Sequence, residues 1–460
     1  MLKNPIKMAV LCAAVVVSSA LSARAGDSFK LNRLSLDDIK QGRVALSDVA
    51  QPREAERKTF TVNPQPLPVK DMTVVIFLNG KNNLEKIVSH HLDAMKQVGT
   101  TDKMNVVVEA GTLSDKAVKR MLINKDGETV YETRQADMGD YKEAGDFLRW
   151  ARTAFPARKY VFIIWNHGIG WLDPKSDKDG SSSNKGISFD DDTKNYIRNE
   201  QMGEIFKIGG HVDVFAANAC LTQMAEVAYT LKDSADLIIG SEEVMSGICF
   251  EYQKVLGWLA ENTTAGNEDF GKEMSRLYGE AYETCTMFGI VCPLKDKGGT
   301  LSSIRADKLA ALPAKLDSWA RAVKDNNEEE AVKYAIGSVI RFAIIPDKDP
   351  NKKLAPYVDL GDFALRVDSK SKSQAVHDET ARLMSFIDKD LVASQIGVHT
   401  DAHGDDYSRT HGIAINMTME LKPVPAGFAN AFEGKYSDLS FAKAGQWGQF
   451  MDWTTAVWNK

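Results

Sequence analysis

Between residues 72 and 240, short unbroken apolar runs alternate with stretches of helical periodicity. Residues 72–78 read as a continuous strand, followed by a turn at Asn79 and Gly80 and an amphipathic stretch over 83–98. The unit recurs. Strand-like runs at 104–109, 160–165, 212–216 and 236–240 are interleaved with helical patterns at 144–153, 199–206 and 222–231. Strands that are apolar throughout must be covered on both faces, and strands joined through helices run parallel. The pattern therefore predicts an α/β domain around a largely parallel sheet with helices on both faces. Residues 118–133, turning at Asp126 and Gly127, read as a β-hairpin on its margin.

Further features divide the chain. Lys3 and Lys7 precede an apolar run over 8–17, and Ala23, Arg24 and Ala25 supply a small-x-small cleavage pattern, which predicts a signal peptide over 1–25. The run is shorter than the roughly 20 residues of a spanning helix, so no membrane anchor is expected. The expected location is secreted or periplasmic. Residues 26–69, polar and ending in Pro64, Pro66 and Pro68, read as a pro-segment or linker. The α/β core is expected over 70–257. Longer helical segments at 269–284 and 307–325, with strand-like pieces at 300–304 and 412–417, suggest a smaller α+β domain over 258–460. The net charge of -6 gives no basic field for nucleic acid, whereas a peptide or protein partner fits.

In an open parallel sheet, chemistry gathers at the carboxyl ends of the strands. The run 160–165 leads into Asn166, His167 and Gly168, and the run 212–216 leads into Asn218, Ala219 and Cys220. A neutral thiol is a poor nucleophile and needs a neighbouring base, which His167 could supply to Cys220. Gly168 allows its N–H to approach a substrate carbonyl, and the N–H of Cys220, just ahead of a helix, is the second candidate oxyanion donor. Past the signal four cysteines remain, Cys220, Cys249, Cys285 and Cys292, and their number does not fix a pairing.

WNHGIGW at 165–171 resembles the histidine motif of clostripain-like cysteine peptidases, and ANACL at 217–221 resembles their Asp-Ala-Cys-Leu nucleophile motif. VVIFLNGKNNLE from Val74, ISFDDDTKNYIRNEQM from Ile187, IIGSEEVMSG from Ile238, TLSSIR from Thr300, YVDLGDF from Tyr357 and HGIAINM from His411 follow in the matching order. The resemblance implies a caspase-like fold, as in gingipains and legumains, and a His-Cys dyad that needs no third residue. It also implies no required cofactor, although some members use calcium. Three positions depart from the pattern: Lys81 stands where an acid is usual, Ile169 replaces a common glycine, and Asn218 replaces the aspartate associated with Arg or Lys before the scissile bond. A carboxylate is the direct partner for a guanidinium or ammonium; an asparagine bonds without charge. Glu242 or Glu243, in the loop after the next strand, could restore the acid.

The polar loop over 173–186 is implied by the resemblance to be a self-cleavage or activation loop, with Lys175, Lys178 and Lys185 as candidate cut points. Asp190, Asp191 and Asp192 are candidates for calcium, but adjacent acids need a special turn to share an ion and no EF-hand spacing is present. The cluster His399, His403, Asp405, Asp406 and His411 lacks an HExxH pattern and reads as a surface loop, so no metal site is expected there. The expected function is a secreted cysteine endopeptidase working through a Cys-His dyad and an acyl-enzyme. The alternative is a catalytically inactive binding or inhibitory protein of the same fold.

Overall fold

A computed structural model describes residues 68–174, 186–246, 250–284, 286–287, 290–291, 298–344, 354–400, 406–417, 432–433 and 435–460. The expected signal peptide, nearly all of the expected pro-segment, Lys175, Lys178, Lys185 and the cysteines other than Cys220 lie outside them. The main strands are β1 (Lys70–Gly80), β2 (Met104–Thr112), β3 (Val118–Asn124), β4 (Gly127–Arg134), β5 (Ala157–Trp165), β6 (Val212–Asn218), β7 (Ala235–Gly240), β8 (Gly299–Arg305) and β9 (Val392–Val398). They form one nine-stranded sheet in the order β9-β8-β7-β6-β5-β1-β2-β3-β4. The run from β7 to β2 is parallel throughout, while β3 and β4 on one margin and β8 and β9 on the other run antiparallel.

The period of two along each strand builds two cores. Val75, Phe77, Phe162, Ile164 and Phe215 face one cluster, whereas Val74, Ile76, Leu78, Val161, Ile163 and Val214 face the other. The first cluster takes in helices Tyr141–Ala154 and Met202–Gly209 through Phe147, Leu148 and Ile205. The second takes in Glu85–Lys96, Tyr252–Glu261 and Asn267–Thr284 through Val88, Val255 and Met274. Both faces of the parallel strands are thus covered, as their unbroken apolar runs require.

Both sides of residue 257 share this sheet, since β8 and β9 extend it. Trp319, Phe363 and Trp447 join the first core. The boundary expected there falls inside the helix Tyr252–Glu261, and both the sheet and the core continue across it. Of the expected C-terminal strands, 300–304 is part of β8, while Ala414–Asn416 pairs in a separate small sheet with Tyr357–Asp359.

Glu226, in the helix Ala225–Thr230 that follows Cys220, fastens the C-terminal segment. Its Oε1 accepts the Asn416 N–H at 3.0 Å and the Tyr436 hydroxyl at 2.8 Å. Full burial raises its carboxyl to about 7 against those hydrogen bonds. A carboxyl that holds its proton more tightly folded than unfolded contributes less as pH rises from about 4.5 to about 7, an effect of roughly 3 kcal/mol. Glu226→Gln is expected to flatten the decline of unfolding free energy over that window, measured by urea titration at several pH values. An unchanged slope would contradict this.

Candidate active site

Taken in chain order, the parallel strands β1, β2, β5, β6 and β7 lie as β2-β1-β5-β6-β7, so the order reverses between β1 and β5. The crevice at their carboxyl ends is where such sheets bind ligands. β5 and β6 are neighbours there, in a register that pairs Trp165 with Asn218. His167 and Cys220 each lie two residues beyond that pair, and the Asn166 N–H continues the ladder to the Asn218 carbonyl at 3.3 Å. Gly168 rests directly on the Cys220 backbone: a Cβ built on it would stand 2.2 Å from the Cys220 carbonyl oxygen. The two candidate residues are therefore presented side by side, and both are half-buried.

Any side chain at position 168 must push the two loops apart. Gly168→Ala is expected to lower kcat/KM on a peptide substrate by about 100-fold through misplacement of the reacting groups. Its thermal unfolding should change far less. Kinetics beside a melting curve check this, and wild-type kinetics would contradict it.

The His167 Nε2 lies 2.7 Å from the Asn83 Oδ1, in the exposed turn after β1. A carboxamide oxygen only accepts, so with Asn83 assigned in this orientation Nε2 carries the proton and Nδ1 is the basic nitrogen. The surrounding turns are stitched together by three buried asparagines. Asn166 Nδ2 donates to the Asn79 carbonyl at 2.7 Å, and Asn82 Nδ2 and Asn79 Nδ2 donate to the Phe189 carbonyl at 2.8 and 3.0 Å. The Phe189 N–H donates to the Asn166 Oδ1 at 2.9 Å. Sequence reading passes over these residues because asparagine after a strand is an ordinary turn former.

Around Cys220, the loop after β7 clamps the loop after β6. The Leu221 and Gln223 N–H groups donate to the Glu243 and Ser241 carbonyls at 3.2 and 3.0 Å, and the Met245 N–H lies 3.3 Å from the Cys220 Sγ. Leu221 has a φ of 56°, with its side chain buried beside Ile169 and Met224. This conformation is one that a non-glycine residue holds only when its surroundings fix it. The helix expected over 222–231 starts only at Ala225, so the Cys220 N–H is not at its first turn. That correction removes the helix terminus from the argument for Cys220 as an oxyanion donor, leaving the loop geometry alone.

Asn218 is buried, with its Nδ2 3.5 Å from the hydroxyl of Tyr252. The His91 ring packs edge-on against both Tyr252 and Trp165, each at 5.0 Å between centroids. Glu243 accepts the Val244 N–H at 2.6 Å and the Tyr407 hydroxyl at 2.9 Å. Glu242 is buried, and burial and then the neighbouring Asp359 push its carboxyl well above the usual range. Glu243 is thus engaged by Val244 and Tyr407, whereas neither buried carboxyl oxygen of Glu242 has a hydrogen-bond partner among the described residues.

Asp190 and Asp192 do converge, but on Lys81, whose Nζ lies 3.2 Å from each carboxylate and 3.0 Å from the Ala136 carbonyl. Asp191 pairs instead with Lys194 at 3.6 Å. An ammonium already fills the position between the two carboxylates, so calcium does not fit there. Of the histidine cluster, His411 Nδ1 lies 3.1 Å from Asp388, and Asp406 caps Ser408; His403 and Asp405 lie outside the described residues. Among the described residues no three His, Cys, Asp or Glu side chains are grouped to hold a metal ion.

A thiol and an imidazole at adjacent strand ends are the arrangement of cysteine peptidases, and comparison with known proteins narrows the class. The family model described as the Clostripain family matches residues 76–453, and the chain belongs to this family of cysteine peptidases. It is 24% identical over 380 residues to clostripain of Hathewaya histolytica, covering 70% of each chain. Among solved structures it is similar to an inactive zymogen C11 protease from Parabacteroides distasonis, with 19% identity and a TM-score of 0.58 over 83% of this chain and 99% of that one. It is likewise similar to a secreted C11 cysteine protease from Bacteroides thetaiotaomicron solved with an irreversible peptide inhibitor, at 19% identity and a TM-score of 0.57 over 84% and 99%. The shared fold is the largely parallel α/β sheet expected from the strand pattern, in the caspase-like form that the family resemblance implied.

Proposed function

We propose that this protein is an exported endopeptidase in which Cys220 is the nucleophile and His167 its acid-base partner. The observation that carries the reading is the β5–β6 register, which sets both residues two positions past one cross-strand pair, with Asn83 on the His167 Nε2. His167 Nδ1 takes the Cys220 proton as the sulfur bonds to the scissile carbonyl carbon. The oxyanion is held by the N–H groups of Gly168 and Cys220. Collapse breaks the C–N bond, and His167 returns the proton to the leaving amine. Water, deprotonated by His167, then attacks the thioester, and the thiol regains its proton as the carboxylic acid leaves.

Export rests on the leader over 1–25, and among the described residues no helix is long and apolar enough to cross a membrane. Self-cleavage within 173–186, at Lys175, Lys178 or Lys185, would require an enzyme that accepts lysine before the cut, which the uncharged Asn218 does not favour. Retention of Cys220 and His167 speaks against the binding-only alternative. A peptidyl chloromethyl ketone tests the assignment: alkylation mapped to Cys220, with matching loss of activity and protection by substrate, is expected. Full activity after complete alkylation of Cys220 would overturn it.

A further inference from the structure

Lys81 is 3% exposed and sits at the carboxyl end of β1, two residues before Asn83. Its backbone is fixed on both sides, the N–H donating to the Asn79 Oδ1 at 2.9 Å and the carbonyl accepting the Asp191 N–H at 2.7 Å. Its ammonium holds Asp190, the last residue of the strand Ile187–Asp190, and Asp192 in the turn that follows. The strand carrying that turn also buttresses the two active-site turns, since the Phe189 carbonyl accepts from Asn79 and Asn82 and its N–H donates to Asn166, the residue before His167. Asp190 is pinned further by the Met138 N–H on Oδ2 at 2.9 Å and the Asp192 N–H on Oδ1 at 2.9 Å. Burial raises the Asp190 carboxyl to about 6 against the opposing pull of Lys81, so at neutral pH it faces the ammonium as a carboxylate.

A buried ammonium between two carboxylates and a carbonyl is retained only if all its donors are satisfied. Here the bonds it makes tie the turn after β1 to the 187–192 segment. We propose that Lys81 is a positioning residue, a built-in cation that draws Asp190 and Asp192 onto the turn after β1 and so sets Asn83, and through it the His167 imidazole. The inference rests on the His167–Cys220 assignment above. A lysine tethered to the chain supplies this charge permanently, whereas a bound ion would be present only above its dissociation constant.

The test measures kcat and KM on one peptide substrate, and the rate of Cys220 alkylation by iodoacetamide against pH. The variants are Lys81→Met, Asp192→Asn, Asn83→Ala and the two doubles with Asn83→Ala. Lys81→Met is expected to lower kcat about 10- to 100-fold with little change in KM, and to move the thiol's apparent pKa toward the roughly 8.5 of a free cysteine. Asp192 is 33% exposed in its side chain, so Asp192→Asn loses one ion pair without stranding a buried charge. It should show the same changes, several-fold in kcat, and carries the test if Lys81→Met does not fold.

In the Asn83→Ala background neither change should lower kcat or move the alkylation profile further, because the residue they act through is gone. Losses that multiply in that background, or an unmoved alkylation profile in the folded single variants, would overturn the inference while leaving the dyad standing. Activity surviving in Cys220→Ala would instead overturn the dyad.

Discussion

Cys220→Ala and His167→Ala are each expected to lower kcat/KM on a peptide substrate by at least about 1,000-fold, and the double variant by little more than either alone. In the proposed reaction the sulfur forms the bond and the imidazole moves the proton, so removing one leaves the other without work. The fold should survive both changes. Cys220 Sγ accepts the Met245 N–H in a half-buried loop, and losing such a bond costs about 1 kcal/mol. His167 gives up its bond to Asn83, which is exposed and can turn to water. Either variant retaining a tenth of wild-type activity, with unaltered circular dichroism, would remove that residue from the reaction.

Asn218→Asp is expected to shift cleavage toward Arg and Lys before the scissile bond by about 30-fold or more in kcat/KM, measured on matched peptides differing only at that residue. A basic side chain entering an enclosed pocket loses hydration, and leaving it unpaired costs on the order of 2 to 5 kcal/mol relative to pairing it, which is roughly 30- to several-thousand-fold in rate. The wild type is expected to prefer an uncharged residue, because Asn218 offers a carboxamide, Glu243 is bonded elsewhere, and burial disfavours the charged form of Glu242. Glu243 is held by Val244 and Tyr407, and Glu242 lies against Asp359. The preference bears on processing within residues 173–186, since an enzyme that discriminates against lysine would not cut after Lys175, Lys178 or Lys185. A strong wild-type preference for Arg, unaffected by Glu242→Gln and Glu243→Gln, would contradict the argument.

The parallel strands were legible because a strand buried on both faces must be apolar at every position, as 74–78 and 161–165 are. β9 was not. Its residues are mostly half-buried on a margin of the sheet, and VASQIGV shows neither a clean alternation nor an apolar run. The turn from Cys220 to Met224 escaped for another reason: Leu221 takes its φ of 56° without the glycine that usually marks such a conformation. His167 and Cys220 stood out through their residue types at strand ends, but the partners that orient them did not. Asn83 meets His167, and Lys81 meets Asp190 and Asp192, only across neighbouring loops after the sheet has assembled. The division expected at residue 257 followed a change to longer helical segments, yet antiparallel hydrogen bonding between β7 and β8 carries the sheet across it. A sequence pattern records each strand's own burial, and its edge partners are set by the rest of the chain.

The central claim, a reaction passing through a thioester on Cys220, two residues beyond β6, is tested most directly by trapping the intermediate. Enzyme mixed with an excess of a peptide ester, quenched in acid within the first turnover and digested, should carry the acyl group on the peptide containing Cys220, near one equivalent per active chain, because acylation by an activated ester outpaces hydrolysis of the acyl-enzyme. The adduct should be absent in Cys220→Ala. Steady turnover of that ester by the wild type with the acyl group found on another residue would contradict the account.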